Sequence, residues 1–260
     1  MGEFEVSGLS GEEAGEGAAV VLLHGLTATR RYVVMGSRAL ERGGHRVVAY
    51  DARGHGRSGA GEYGYAALAA DLLAVLDDRA VEHATLAGAS MGAHTIVRFA
   101  LEHPARVAAT VIVTPAFDPD GDQRLGHWDA LSEGLCSAGI DGFLAAYGTP
   151  PVPERWQGTV ERVIRQRLGG HEDLDAVADA LHAVPRSRPF EAWDDLAALE
   201  VPTTVVASHD EADPEHPYAV AERYADAIRG ARLVSEDPGQ SPLAWQGGQL
   251  SRVIAEAVPR

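Results

Sequence analysis

Hydrophobic positions along the chain follow two rhythms. Short apolar runs bounded by turn residues occur at Val20-Val21-Leu22-Leu23, Val47-Val48-Ala49-Tyr50, Ala84-Thr85-Leu86-Ala87 and Ala108 to Val113, and again at Thr203 to Ala207 and Arg232-Leu233-Val234. Runs this short, apolar at consecutive positions and followed by turn residues, are the pattern of strands buried on both faces of a sheet. Between the second and third of them, Tyr65, Leu68, Leu72, Val75 and Leu76 recur at helical spacing, with Asp71, Asp77 and Asp78 assigned to the opposite face. Leu250, Val253, Ile254 and Ala257 repeat the helical pattern near the end of the chain. Alternation of the two rhythms predicts an α/β fold with a mostly parallel central sheet flanked by helices.

From about Phe117 to Trp193 the alternation stops. That stretch holds helical patterns and proline-rich turns such as Thr149-Pro150-Pro151, but no convincing strand. We expect residues 117–193 to form a helical cap inserted into a core made of residues 1–116 and 194–260. Ligands of open α/β sheets bind beyond the carboxyl ends of the strands, so a cap there would wall off a pocket and select the substrate.

Composition narrows the function. A chain of 260 residues with 45% hydrophobic content can bury one large core. No run of about 18 apolar residues occurs, and Met1-Gly2-Glu3-Phe4-Glu5 lacks the basic and apolar regions of a signal peptide, so a cytoplasmic protein with no membrane span is expected. The formal charge of −16, with no basic stripe to offset it, argues against a nucleic-acid partner. The lone Cys136 cannot form an internal disulfide. The 11 histidines show no His-x-x-x-His pair or carboxylate cluster at metal spacing, so no metal site is expected. A small-molecule substrate remains as the natural partner.

Three motifs carry the chemistry. Gly88-Ala89-Ser90-Met91-Gly92 follows a predicted strand and opens a predicted helix from Ala93 to Leu101, a context in which the glycines permit a tight turn that holds the serine exposed. His24-Gly25-Leu26-Thr27 follows the first strong strand. Asp51-Ala52-Arg53-Gly54-His55-Gly56-Arg57-Ser58 follows the second and reads as a fixed loop rather than filler. In this order and at these intervals the three resemble the α/β-hydrolase superfamily, in the branch of cofactor-free haloperoxidases, esterases and C–C bond hydrolases. The resemblance spans the chain, is strong over residues 18 to 115, and is loose in the cap.

The resemblance implies a serine nucleophile at Ser90, no cofactor, and the chain order serine, acid, histidine. It also implies an oxyanion hole made by the backbone N–H groups of Leu26 and Met91. The acid belongs after the penultimate strand, where the chain offers Asp210 and Asp213; Asp213 precedes a proline as the family's acid often does, and Asp210 stays open. The histidine belongs in the loop after the last strand, where the family commonly has Gly-His-Ser-Pro. This chain has Gly239-Gln240-Ser241-Pro242, and no histidine follows His216.

A glutamine amide can hydrogen-bond to Ser90 but cannot take its proton. Loss of the base in a serine protease costs on the order of 10⁶ in turnover, roughly 8 kcal/mol at 1.36 kcal/mol per decade. Oxyanion hole and binding alone leave roughly 10³ to 10⁴ over water. Four explanations stand open: another histidine (His94, His209 or His216) enters the site; the reaction needs no base; the pocket binds without turnover; or the glutamine is an introduced substitution. Arg30 and Arg31, just past the oxyanion loop, are within reach of a substrate carboxylate or are simply solvated. The leading expectation is an enzyme acting on a small or medium, neutral to apolar ester, thioester or lactone.

Overall fold

The structure, a computed structural model, describes residues 2–210, 212–237 and 247–259. Eight strands, β1 (Gly2–Val6), β2 (Leu9–Ala14), β3 (Ala18–Leu23), β4 (His45–Tyr50), β5 (Ala84–Ala89), β6 (Val107–Val113), β7 (Thr203–Val206) and β8 (Arg232–Val234), form one sheet in the order β1-β2-β4-β3-β5-β6-β7-β8. From β4 to β8 all neighbours run parallel; β1 and β2 are antiparallel to each other, and β2 is antiparallel to β4.

Both faces of the parallel strands are covered, which explains their continuous apolar runs. Successive side chains point to opposite faces. On one face Val21, Leu23 and Leu86 pack with Leu72 and Leu76 of α2 (Tyr65–Asp78) and Ile96 and Phe99 of α3 (Met91–Glu102). On the other, Val20, Leu22 and Val111 pack with Leu40 of the short helix α1 (Ala39–Arg42) and with Leu250 and Ile254 of the helix Gly248–Ala257. Asp71, placed by spacing on the polar face of α2, is in fact buried, and its carboxylate is paired with Arg53 at 2.6 Å through two hydrogen bonds. The Arg53 guanidinium supplies the partner that makes that burial tolerable.

Between β6 and β7 come three helices, α4 (Leu125–Tyr147), α5 (Glu154–Leu168) and α6 (Leu174–Ala183), and no strand among the described residues. They share a small core of their own built on Leu131, Leu135, Phe143, Ile164, Leu168 and Leu181. Within α4 the path bends at Ala138 and Gly139, whose φ values are −143° and 60°. No helix among the described residues is long and apolar enough to cross a membrane.

The chain runs from β3 outward to β4 on one side, then returns to β5 on the other. That reversal opens a crevice beyond the carboxyl ends of β3 and β5, where ligands of such sheets bind. The loops leaving those two strands begin with His24 and Ser90.

Candidate active site

Ser90 sits between β5 and α3 with φ 51° and ψ −115°, left-handed backbone that costs a non-glycine residue about 1–3 kcal/mol. Its surroundings enforce the turn. The Ser90 N–H donates to the Val113 carbonyl at 3.0 Å, and the Ser90 carbonyl accepts from the His94 N–H at 3.0 Å. A Cβ at Gly88 would run into the backbone of Gly92, and one at Gly92 into the Leu23 carbonyl, so the strand and helix close up only with glycine at both places. Among the described residues the Ser90 hydroxyl has no hydrogen-bond partner, and it faces a cavity.

The loop after β3 lies beside it: a Cβ on Gly25 would stand 3.4 Å from that of Ser90. Three histidines brace this loop. The Ala52 N–H donates to His24 Nε2 at 2.9 Å, leaving His24 Nδ1 to donate to the Gly25 carbonyl at 2.8 Å. His55 lies between the Leu26 carbonyl, 2.5 Å from Nε2, and the Arg53 carbonyl, 2.9 Å from Nδ1. His171, which follows α5, accepts from the Gly56 N–H at 2.8 Å and reaches the Thr27 carbonyl at 3.2 Å. Burial pushes all three below the ordinary histidine range, His171 to about 4, with His55 adding to the effect on His24 and His171. Arg30 is not available to a substrate, because its guanidinium is ion-paired with buried Asp51 and its N–H donates to the same carboxylate at 2.8 Å. The N–H groups of Leu26 and Met91 make no hydrogen bond to the protein among the described residues.

The remaining histidine candidates separate by what their ring nitrogens face. His94 is committed: Nε2 accepts from the N–H groups of Ala116 (3.0 Å) and Phe117 (3.1 Å), and Nδ1 meets the Tyr65 hydroxyl at 3.0 Å. Burial, with His216 adding to it, pushes His94 down to about 3. His209 stacks on Tyr218 with ring centroids 4.0 Å apart and is not among the residues facing the Ser90 cavity. His216 faces that cavity. Its Nδ1 is bound by both carboxylate oxygens of Asp213, at 2.7 and 2.8 Å, and Nε2 has no protein partner among the described residues. Burial opposes its charge, but attraction and hydrogen bonding to Asp213 win, so His216 is raised. Burial likewise opposes the charge of Asp213, yet His216 and then Arg167 hold it below its ordinary value.

Asp210 faces the same cavity, and its Oδ1 accepts from the Ala212 N–H at 2.7 Å. Buried Glu236 fixes this turn by accepting from the Ser208 hydroxyl (2.6 Å) and the His209 N–H (2.7 Å). Gln240 lies outside the described residues.

Ser90 stands where two lobes meet. The first, about 290 Å³, is bounded by the Asp213–His216 turn and by Trp128, Leu131, Phe143, Ile164 and Arg167 of α4 and α5. The second, about 300 Å³, is bounded by Met91, His94, Phe117, Arg124 and Val184. Ser90, Leu26, Trp128 and Glu215 are common to both. The structure therefore gathers Ser90, Leu26, Met91, Asp210 and Asp213 around one cleft. Arg167, Trp128 and His127 also face it and carried no motif in the sequence. No group of three metal-ligating side chains occurs among the described residues.

A doubly wound, mostly parallel sheet with its cleft at the switch point defines a class, the α/β enzymes whose reacting groups sit on the loops beyond the strands. The sequence model described as the Alpha/beta hydrolase family matches residues 20–246, and the chain belongs to that family. A protein named carbamate hydrolase RutD from Variovorax paradoxus is 30% identical over 222 residues, covering 84% of this chain and 82% of its own. An esterase from Thermogutta terrifontis superposes with a TM-score of 0.77 at 23% identity, over 98% of this chain and 97% of its own. The enol-lactonase of Burkholderia xenovorans superposes with a TM-score of 0.72 at 23% identity, over 98% and 96%. At that identity the two structures speak for the fold, and the family supports a hydrolase.

Proposed function

We propose that this chain is a serine hydrolase of small or medium esters, thioesters or lactones, in which the His216–Asp213 pair supplies the base that position 240 lacks. The observation that carries the reading is the shared cleft: a strained serine and a carboxylate-bound histidine line one cavity, and among the described residues neither the serine hydroxyl nor the histidine Nε2 has a hydrogen-bond partner. Ser90 Oγ attacks the carbonyl carbon as its proton passes to His216 Nε2. The oxyanion that forms is held by the N–H groups of Leu26 and Met91, the latter at the first turn of α3, where the helix dipole favours negative charge. The imidazolium, stabilised by Asp213, returns the proton to the leaving oxygen or sulfur, and the acyl group stays on Ser90. Water then gives a proton to His216 and its oxygen to the acyl carbon, and Ser90 is regenerated. Asp210, on the same turn, is the alternative orienting carboxylate. Residues 117–193 serve as the cap, and the two lobes of the cleft divide the acyl part of the substrate from the leaving part.

A panel of p-nitrophenyl acetate, butyrate and octanoate tests this. Ser90→Ala should reduce turnover to background, and His216→Gln should lower kcat by at least about 10²-fold, the smaller end of general-base contributions. Turnover that persists in Ser90→Ala would instead indicate chemistry in which the pocket polarises a carbonyl without forming an acyl-serine.

A further inference from the structure

Among the described residues the Arg167 guanidinium has no anion to hold. It belongs to a face of α5, with Thr159, Val160, Val163 and Ile164, that lines the first lobe. Its Nε is buried without a hydrogen-bond partner among the described residues, and none of their carboxylates lies within ion-pair distance of its guanidinium. Arg165, two residues earlier, shows the ordinary alternative: it is exposed and bound to Asp141 at 2.6 Å and Glu161 at 3.2 Å. Of the carboxylates lining this lobe, Asp213 is bound to His216, Glu215 is paired with Arg124 at 2.8 Å, and Asp210 accepts from the Ala212 N–H. Asp213 and Tyr147 act on Arg167 only through space. An arginine does not escape the cost of burial by losing its proton at any ordinary pH, so a half-buried guanidinium whose Nε is shut off from solvent and which lines a cavity calls for an anion.

We propose that the substrate carries a carboxylate remote from its scissile carbonyl, and that Arg167 receives it. A carboxylate matches the planar fork of a guanidinium with two parallel hydrogen bonds, a geometry that fixes orientation as well as charge. Leu131, Phe143, Val160 and Ile164 line the same lobe, so an apolar spacer joins the carboxylate to the reacting carbonyl. The class is thus a short acyl ester or thioester ending in a carboxylate, or a lactone bearing one. This differs from the neutral substrate expected from sequence, and it rests on the hydrolytic reading of Ser90 only for which bond is cut.

The test uses the monomethyl esters of succinate, glutarate, adipate and pimelate against the corresponding dimethyl esters. For at least one chain length the monoester should be the better substrate. Arg167→Gln should lower its kcat/KM by about 10- to 100-fold, mostly through KM, as expected for a charged hydrogen bond lost. The diester should change by less than about 3-fold, and Arg167→Lys should recover part of the loss. Diesters preferred at every length, or mono- and diesters falling together in Arg167→Gln, would overturn the proposal; the latter would make Arg167 a support for Asp213. Calorimetry of free glutarate and adipate with Ser90→Ala protein separates the two readings. Saturable binding that disappears on adding Arg167→Gln upholds the carboxylate site even if no ester is cleaved, in which case the hydrolytic reading alone fails. No binding, or binding that survives Arg167→Gln, overturns the site.

Discussion

At position 90 the backbone adopts a conformation that its own residue type disfavours, and two neighbouring glycines make it possible. Gly92→Val would push a side chain into the Leu23 carbonyl. Thermal unfolding should show a loss of at least about 1–3 kcal/mol, the usual scale of overpacking, with slower labelling of Ser90 by a fluorophosphonate. The His216–Asp213 pair sets the pH dependence of the reaction. His216 must be neutral to take a proton, and Asp213 raises it above the ordinary 6.5. The kcat/KM of the intact enzyme should therefore climb with pH through a value above 6.5. Asp213→Asn removes the stabilising charge, so the climb should shift to lower pH while the plateau falls; a profile that stays in place would separate His216 from the chemistry. Sequence alone offered three histidines and could not choose. The choice turns on what each ring nitrogen meets, and His94 is occupied by N–H groups of residues 116 and 117, distant in the chain. Arg167 was invisible for the same reason: one polar stretch of α5 holds both Arg165 and Arg167, and only the packing distinguishes outward from inward.

At the scale of elements, the strands most legible in the sequence are those buried on both faces, where every position is apolar. The β1–β2 hairpin was not readable, because it forms the sheet edge and carries Glu3, Glu5, Glu12 and Glu13 among few apolar residues. The loop from Asp51 to Ser58 read as fixed, and its fixing now has partners: Asp51 with Arg30, His55 with the Leu26 carbonyl, and Gly56 with His171. These histidine contacts predict a pH dependence of stability. Folded His171 titrates at about 4 and His94 at about 3, both below the 6.5 of an unfolded chain. As pH falls below 6.5 the unfolded chain binds protons that the folded chain refuses, so stability must fall with it until about those lower values. Melting temperature measured from pH 7 to pH 4 should decline across the window, and less steeply in His171→Gln. A flat profile would mean that the histidines open to solvent without cost.

The molecule as a whole is a sheet with two covered faces and, above its switch point, a helical segment with a core of its own. The segment meets the first turns of α2 and α3 through Ala180 and Val184 against Tyr65, Leu68 and Met91. Its inner wall depends on a close crossing of the two halves of α4, where a Cβ on either Gly134 or Gly142 would collide with the other's carbonyl. Gly142→Val should force the halves apart and change the preferred ester chain length more than it changes the rate of acylation by the shortest ester. In the sequence this stretch shows only a break in the strand–helix rhythm, and its pocket did not follow from pattern, since α4, α5 and the turn at Asp213 meet only in three dimensions. Transfer of the acyl group to Ser90 is the central step of the proposed reaction. Rapid mixing with p-nitrophenyl butyrate, acid quench and mass spectrometry of the peptides measures it directly. A butyryl adduct on Ser90 that forms more slowly in His216→Gln is predicted; turnover with no adduct at Ser90, or undiminished in Ser90→Ala, would contradict it.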